Sequence, residues 1–236
     1  MIRIEGLAKR FGSLEVLQHI DLGIARGRVT GIAGPNGVGK STMIKTILGL
    51  TRPDSGRILV DGERIGDAPT YRARIGYMPQ IARFPENLTG ADLIAMLKDL
   101  RGAGARVDES LIAAFKLDGQ LTKPLRVLSG GTRQKVNAVM AFLFDPDLLI
   151  LDEPNSGLDP VSSGVLKAKI IEGRNRGKTI IVTSHIMSEL EELSDDLAFL
   201  LDGRIRYAGS VHDLKLATRQ LSLERAIAQM MLEDAA

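Results

Sequence analysis

The chain has 236 residues, 44% of them hydrophobic and 25% charged, with a formal net charge of +2, the profile of an ordinary soluble globular protein long enough to bury a substantial core. So small a charge excess makes no demand for a polyanionic partner, and the complete lack of cysteine excludes disulfides and thiolate metal sites and suits a reducing cytosol. No stretch approaches the roughly 20 apolar residues of a spanning helix, so a role at a membrane would be played from outside the bilayer.

The opening Met1-Ile2-Arg3-Ile4-Glu5 alternates apolar and polar residues as a strand does and lacks the apolar run of a signal peptide. The first 30 residues read as short strands with turns at Phe11-Gly12 and Ala25-Arg26-Gly27. Residues 57–65 read as a hairpin around Asp61-Gly62. Together they predict an antiparallel β lobe. Three wholly apolar runs, Val29–Ala33, residues 148–151 and Thr179–Thr183, predict buried parallel strands, and in open α/β sheets ligands collect at the carboxyl ends of such strands.

The first run is followed by Gly34-Pro35-Asn36-Gly37-Val38-Gly39-Lys40-Ser41-Thr42, which fulfils G-x-x-x-x-G-K-[ST] between a strand and a helix beginning near Lys40. Glycines let backbone amides turn inward around a phosphate, and the helix N-terminus adds its dipole. Lys40 should reach the outer phosphates, Ser41 should ligate Mg²⁺, and Thr42 should support a phosphate.

From about residue 83 to 127 the pattern becomes helical, with Leu93, Met96, Leu97 and Leu100 on one predicted face. Gly102-Ala103-Gly104 and Lys123-Pro124 punctuate a helical lobe inserted into the α/β core. The run 148–151 ends in Asp152-Glu153. Beside the phosphate loop, Asp152 is suited to hold Mg²⁺ through water and Glu153 to polarise an attacking water. The pair predicts nucleoside-triphosphate hydrolysis. Asp202-Gly203 predicts a second hairpin, and Leu223, Ala226, Ile227, Met230 and Met231 predict a short amphipathic helix.

Residues 128–135, Leu-Ser-Gly-Gly-Thr-Arg-Gln-Lys, lie before a helix and resemble the signature motif of ATP-binding-cassette proteins. Ser129 and the amides of Gly130 and Gly131 form a second anion-binding device, and one nucleotide does not need both devices in one chain. The resemblance implies two cassettes packed head to tail, as a homodimer or with a similar chain, each signature closing on the ATP held by its partner. It also implies the fold: a P-loop NTPase core with a parallel sheet and antiparallel β lobe (residues 1–82 and 145–212), a helical lobe (83–144) and a C-terminal helical tail (213–236).

By the same resemblance, Gln80 in Tyr77-Met78-Pro79-Gln80 looks like the Q-loop glutamine that meets Mg²⁺ and the nucleophilic water. His185 in Thr183-Ser184-His185 looks like the switch histidine that contacts the γ-phosphate, and Ser156-Gly157-Leu158-Asp159 looks like the D-loop. Phe11 occupies the place of the aromatic that stacks on adenine, while Val16, Asn36, Gly37, Gly39 and Asp159 join the nucleotide contacts. Ser41, Gln80 and Asp152 form the Mg²⁺ set. Two residues depart from the family pattern: Thr132 stands where glutamine is usual, and Asn155 opens the D-loop where threonine is commoner. Neither removes a phosphate ligand or the Glu153 base, so hydrolysis is expected. His19 and His212 match nothing and read as surface or structural.

The resemblance implies the ATPase of a transporter, docked at the cytoplasmic face of the membrane to separate membrane-spanning subunits, with no nucleic acid involved. Coupling is expected through the groove between core and helical lobe, near residues 80–85 and 93–97. Cassettes acting on nucleic acid or ribosomes usually carry long coiled coils or two fused cassettes, and neither is present. The ending Leu221-Ser222-Leu223-Glu224-Arg225-Ala226 is similar to the export or membrane-remodelling branch. Within it, residues 75–80 and 128–136 are most similar to the copper-processing ATPases that serve nitrous-oxide reductase maturation. An exporter of drug, lipid or polysaccharide is the alternative.

Overall fold

Apolar runs too short for helices become buried strands, and the computed structural model, which describes residues 1–66 and 69–234, arranges them in two sheets. Strands β1 (Ile2–Phe11) and β2 (Leu14–Ile24) pair antiparallel, and β3 (Val29–Ala33) leads into helix α1 (Lys40–Ile47). Next come the hairpin of β4 (Ser55–Val60) and β5 (Glu63–Arg64), a 3-10 turn over Pro69–Arg74, and β6 (Ile75–Met78). Helices α2 (Gly90–Arg101), α3 (Ser110–Ala114) and α4 (Gly130–Phe142) precede β7 (Leu148–Asp152), α5 (Pro160–Asn175), β8 (Thr179–Thr183) and α6 (Met187–Leu193). The chain closes with β9 (Asp196–Leu201), β10 (Arg204–Ser210), α7 (Val211–Thr218) and α8 (Leu223–Asp234).

One sheet is antiparallel, in the order β2-β1-β4-β5. The other runs β10-β9-β3-β8-β7-β6, parallel except for the edge strand β10. Helix α1 lies between them: Met43, Ile44 and Ile47 share one core with Ile4, Leu17 and Ile58 of the antiparallel sheet and with Ile32, Ile150 and Ile181 of the parallel one. The opposite face of the parallel sheet packs on α2 to α8 through Leu149, Leu151, Ile180 and Val182. The mixed α/β class expected from the sequence is the one found.

The long helices start where side chains satisfy the first free amides. Thr89 and Asp92 form a reciprocal capping box at α2, Ser129 caps α4, and Asp159 with Pro160 opens α5. At the chain's end, Glu191 of α6 accepts the Leu223 amide at 2.8 Å and pairs with Lys215 of α7. Leu223, Ala226 and Ile227 of α8 are buried in one cluster with Leu190 and Leu193 of α6.

Three expectations need correction. The first 30 residues form two long strands of 10 and 11 residues, because register shifts along their pairing, with Gly6 and His19 at positive φ, break the two-residue alternation into short pieces. The parallel set has five members rather than three. Gly76 and Tyr77 interrupt the apolar run of β6 and hide it from the pattern, and β9, a strand of the hairpin at Asp202-Gly203, also pairs parallel with β3. On α2, Met96 and Leu100 are 45% and 76% exposed while Ile94 is buried, so the apolar face turns toward Leu93 and Ile94.

Candidate active site

The buried strand β3 ends at Ala33 and the chain wraps through Gly34 to Gly39 before α1 begins at Lys40. Gly39 has φ 112°, and a Cβ there would lie 2.9 Å from the Val16 carbonyl and from the Leu17 side chain. Only glycine lets the helix start close against β2. Helix α1 has no side-chain cap and no acid in its first turn, which leaves its N-terminal amides and dipole to an anion. The Lys40 ammonium is buried and donates to the Gly34 carbonyl at 2.7 Å and the Pro35 carbonyl at 3.0 Å. Burial pushes its pKa down, opposed by the charges of Glu153 and Asp152.

The two acids stand where β7 emerges. Asp152 is buried; its Oδ2 accepts from the Ser41 hydroxyl at 3.0 Å and its Oδ1 from the Thr183 hydroxyl at 2.6 Å. Glu153, also buried, takes the left-handed φ of 49°, a conformation that costs an L-residue about 1–2 kcal/mol. Its N–H donates to Thr183 Oγ1 at 2.9 Å, and its Oε2 lies 2.9 Å from His185 Nδ1. Lys40, Ser41, Asp152, Glu153 and His185 are thus one cluster, assembled by the parallel register of Asp152 against Thr183.

The other predicted residues lie around it. Gln80 is exposed just beyond β6, and among the described residues it makes no hydrogen bond to Ser41 or Asp152. Asn36, Gly37 and Val16 line a shallow pocket of about 410 Å³ beside Asp202-Gly203. Phe11 is 52% exposed at the end of β1, with Lys9 Nζ 5.2 Å from its ring centre. The Thr42 carbonyl accepts from Thr46 Oγ1 at 2.8 Å.

Ser129 accepts the Thr132 amide at 3.1 Å and lies 2.8 Å from the Thr132 hydroxyl. Gly130 faces open space, whereas a Cβ on Gly131 would sit 2.9 Å from the Gly157 carbonyl. Asp159 accepts from the Ser162 amide and hydroxyl at 2.9 and 2.6 Å and pairs with Lys135 at 3.1 Å. The bonds to Ser162 lead the causes that hold its carboxyl well below the usual range. Residues 129–131 and 155–159 are therefore neighbours in one chain. Among the described residues, no hydrogen bond or ion pair joins Ser129 to Lys40, Ser41 or Asp152.

Four contributors escaped the sequence reading. Gln134 donates to the Pro154 carbonyl at 3.3 Å and Asn137 to the Pro79 carbonyl at 2.8 Å, so α4 holds the chain next to both Glu153 and Gln80. Thr183 bridges Asp152 and Glu153. Tyr77 is pushed up to about 12 by burial and the nearby Asp152 charge. The available signal was Asn137 set between Val136 and Ala138 on a helix, with a second amide, Gln134, three residues before it on the same face.

The family model described as ABC transporter matches residues 17–156. The chain belongs to the ABC transporter family. It is 33% identical over 219 residues to the Nod factor export ATP-binding protein I of Ralstonia nicotianae, covering 91% of this chain and 68% of that protein. With the daunorubicin resistance ATP-binding protein DrrA3 of Streptomyces coeruleorubidus it shares 35% identity over 92% of this chain and 70% of that one. A solved ATP-binding subunit of an ABC transporter superposes with a TM-score of 0.90 at 31% identity, covering 98% of this chain and 99% of that one. This ABC protein is accordingly an ATP-binding ATPase, and its antiparallel and mixed parallel sheets are those of the family.

Proposed function

We propose that this ABC ATPase powers an exporter from the cytoplasmic face of the membrane, as a head-to-tail pair with a second cassette docked to separate membrane-spanning subunits. The observation that carries the reading is the separation of two anion devices. Lys40, Ser41, Asp152, Glu153 and His185 form one cluster, while Ser129 caps a helix with no acid in its first turn, a second positive helix end in need of a phosphate. Two copies related by a twofold axis satisfy both ends twice.

Within each site the loop amides and Lys40 bind the phosphates, Phe11 stacks on the base, and Val16, Asn36, Gly37, Gly39, Thr42 and Asp159 complete the nucleotide contacts. Serine hydroxyl and carboxylate oxygens suit Mg²⁺, so Ser41, Asp152 and Gln80 are the residues to hold it. When bound, Mg²⁺ neutralises charge on the phosphates. Glu153 takes the proton of the attacking water, and His185, 2.9 Å from it, orients the base and meets the γ-phosphate. Turnover of purified chain with its membrane subunits should fall about 10²- to 10⁴-fold in Glu153→Gln, while ATP binding persists. A wild-type rate equal to that of the variant would sink the reading.

The division into core (1–82 and 145–212), helical lobe (83–144) and tail (213–236) gives coupling a place. A groove of about 320 Å³ lies between β6 and helices α2 and α4, lined by Tyr77, Arg83, Phe84, Leu97, Arg101 and Phe144 among others. It carries two cations, and no acid lines it, which favours a membrane-subunit segment that is apolar with an acidic residue. Among the described residues no helix is long and apolar enough to cross a membrane. The names of the two relatives, Nod factor export and daunorubicin resistance, favour an organic cargo over the copper-processing role, which rests on residues 75–80 and 128–136 alone.

A further inference from the structure

One hydroxyl stands between the two acids on which hydrolysis depends. Thr183 is fully buried at the end of β8, directly across from Asp152. Its single O–H is spent on Asp152 Oδ1 at 2.6 Å, which leaves Oδ2 to Ser41 at 3.0 Å. Its oxygen accepts the Glu153 amide at 2.9 Å, and that amide also reaches the Thr183 carbonyl at 3.2 Å. The residue so held has a left-handed backbone, which persists only where its surroundings over-determine it.

We propose that Thr183 is a positioning residue that sets the Asp152 carboxylate for the magnesium site and fixes the backbone from which Glu153 reaches water. A packing role would need only the shape of the side chain; this role needs the hydroxyl, since a hydroxyl alone can donate to a carboxylate and accept from an amide at once. The inference rests on the roles proposed above for Asp152 and Glu153.

Thr183→Val keeps the shape and removes the hydroxyl. Its kcat is expected to fall about 10- to 100-fold. The strengthening of ATP affinity by Mg²⁺, measured by calorimetric titration in Mg²⁺ against EDTA, should shrink by about tenfold or more. Affinity in EDTA should stay within about twofold of wild type, because the phosphate loop is untouched. Thr183→Ser should recover both readouts and Thr183→Ala should not, a pair that differs only in the hydroxyl and so repeats the test should valine fail to fold. The proposal is overturned if valine keeps wild-type kcat and Mg²⁺ response, if serine loses as much as alanine, or if affinity in EDTA falls as far as affinity in Mg²⁺. A wild-type chain no faster than Glu153→Gln overturns the reading of the site instead.

Discussion

At the scale of single residues, the site divides into chemistry written contiguously and chemistry that only the fold brings together. Gly34 to Thr42 could be assigned from the chain alone because loop, cation and hydroxyl follow one another. Thr183 is 31 residues from Asp152, Gln134 is 20 from Pro154, and Asn137 is 58 from Pro79; no local pattern marks such partners. The predicted cluster of Lys40, Ser41, Asp152, Glu153 and His185 assembles in the structure, whereas Gln80 stands apart from Ser41 and Asp152. Phe11 is a further single-residue case. Phe11 is half exposed with Lys9 over its ring, and stacking of a base on such a ring is worth about 1–3 kcal/mol. Phe11→Ala should therefore weaken ATP binding about 5- to 150-fold and Phe11→Tyr should not, as read by calorimetric titration. Equal affinities for alanine and wild type would remove Phe11 from the nucleotide site.

Among the elements, wholly apolar strands were the most legible: β3 and β8 have the same bounds in the sequence reading and in the structure. Burial on both faces leaves such strands no charged residue to interrupt the pattern, and their only polar side chains are threonines, which strands favour. Bulges hid the lengths of β1 and β2, and on α2 periodicity named four apolar residues without saying which of them a neighbour would cover. Nor could the sequence show how α3 is tethered. Asp108, just before it, accepts the Ser110 amide at 3.0 Å and pairs with Lys169 of α5 at 2.9 Å. Burial pushes the Asp108 carboxyl up, but the bonds from Ser110 and Lys169 outweigh it and hold the pKa at about 2. A carboxyl depressed below its unfolded value near 4 stabilises the fold above that pH and loses the contribution as pH falls through the folded value. Asp108→Asn should lower stability at neutral pH by about 0.5–1 kcal/mol after solvent screening. In thermal melts the gap from wild type should close between pH 4 and pH 2; a gap unchanged at pH 2 would assign the loss to something other than charge.

For the whole molecule, the proposed dimer makes each chain half an enzyme. Ser129→Arg puts a large cation at the helix end meant for a partner's phosphate, so turnover should be abolished while the monomer binds nucleotide nearly as well as wild type. Binding titration on the variant, beside a turnover assay, checks both halves. Loss of binding and turnover together would argue against a composite site. Within the chain, Lys135 pairs with Asp159 at 3.1 Å, a contact between the helix capped by Ser129 and the loop after Glu153.

The chain's last helix has a practical bearing on all of these measurements. Glu191 ties the start of α8 to α6, and α6 begins two residues after His185. A purification handle fused beyond α8 would therefore hang from a helix whose inner residues, Leu223, Ala226 and Ile227, pack on the helix that follows His185. A handle that disturbs this packing should change the measured rate. Assaying one preparation before and after proteolytic removal of the handle measures that change.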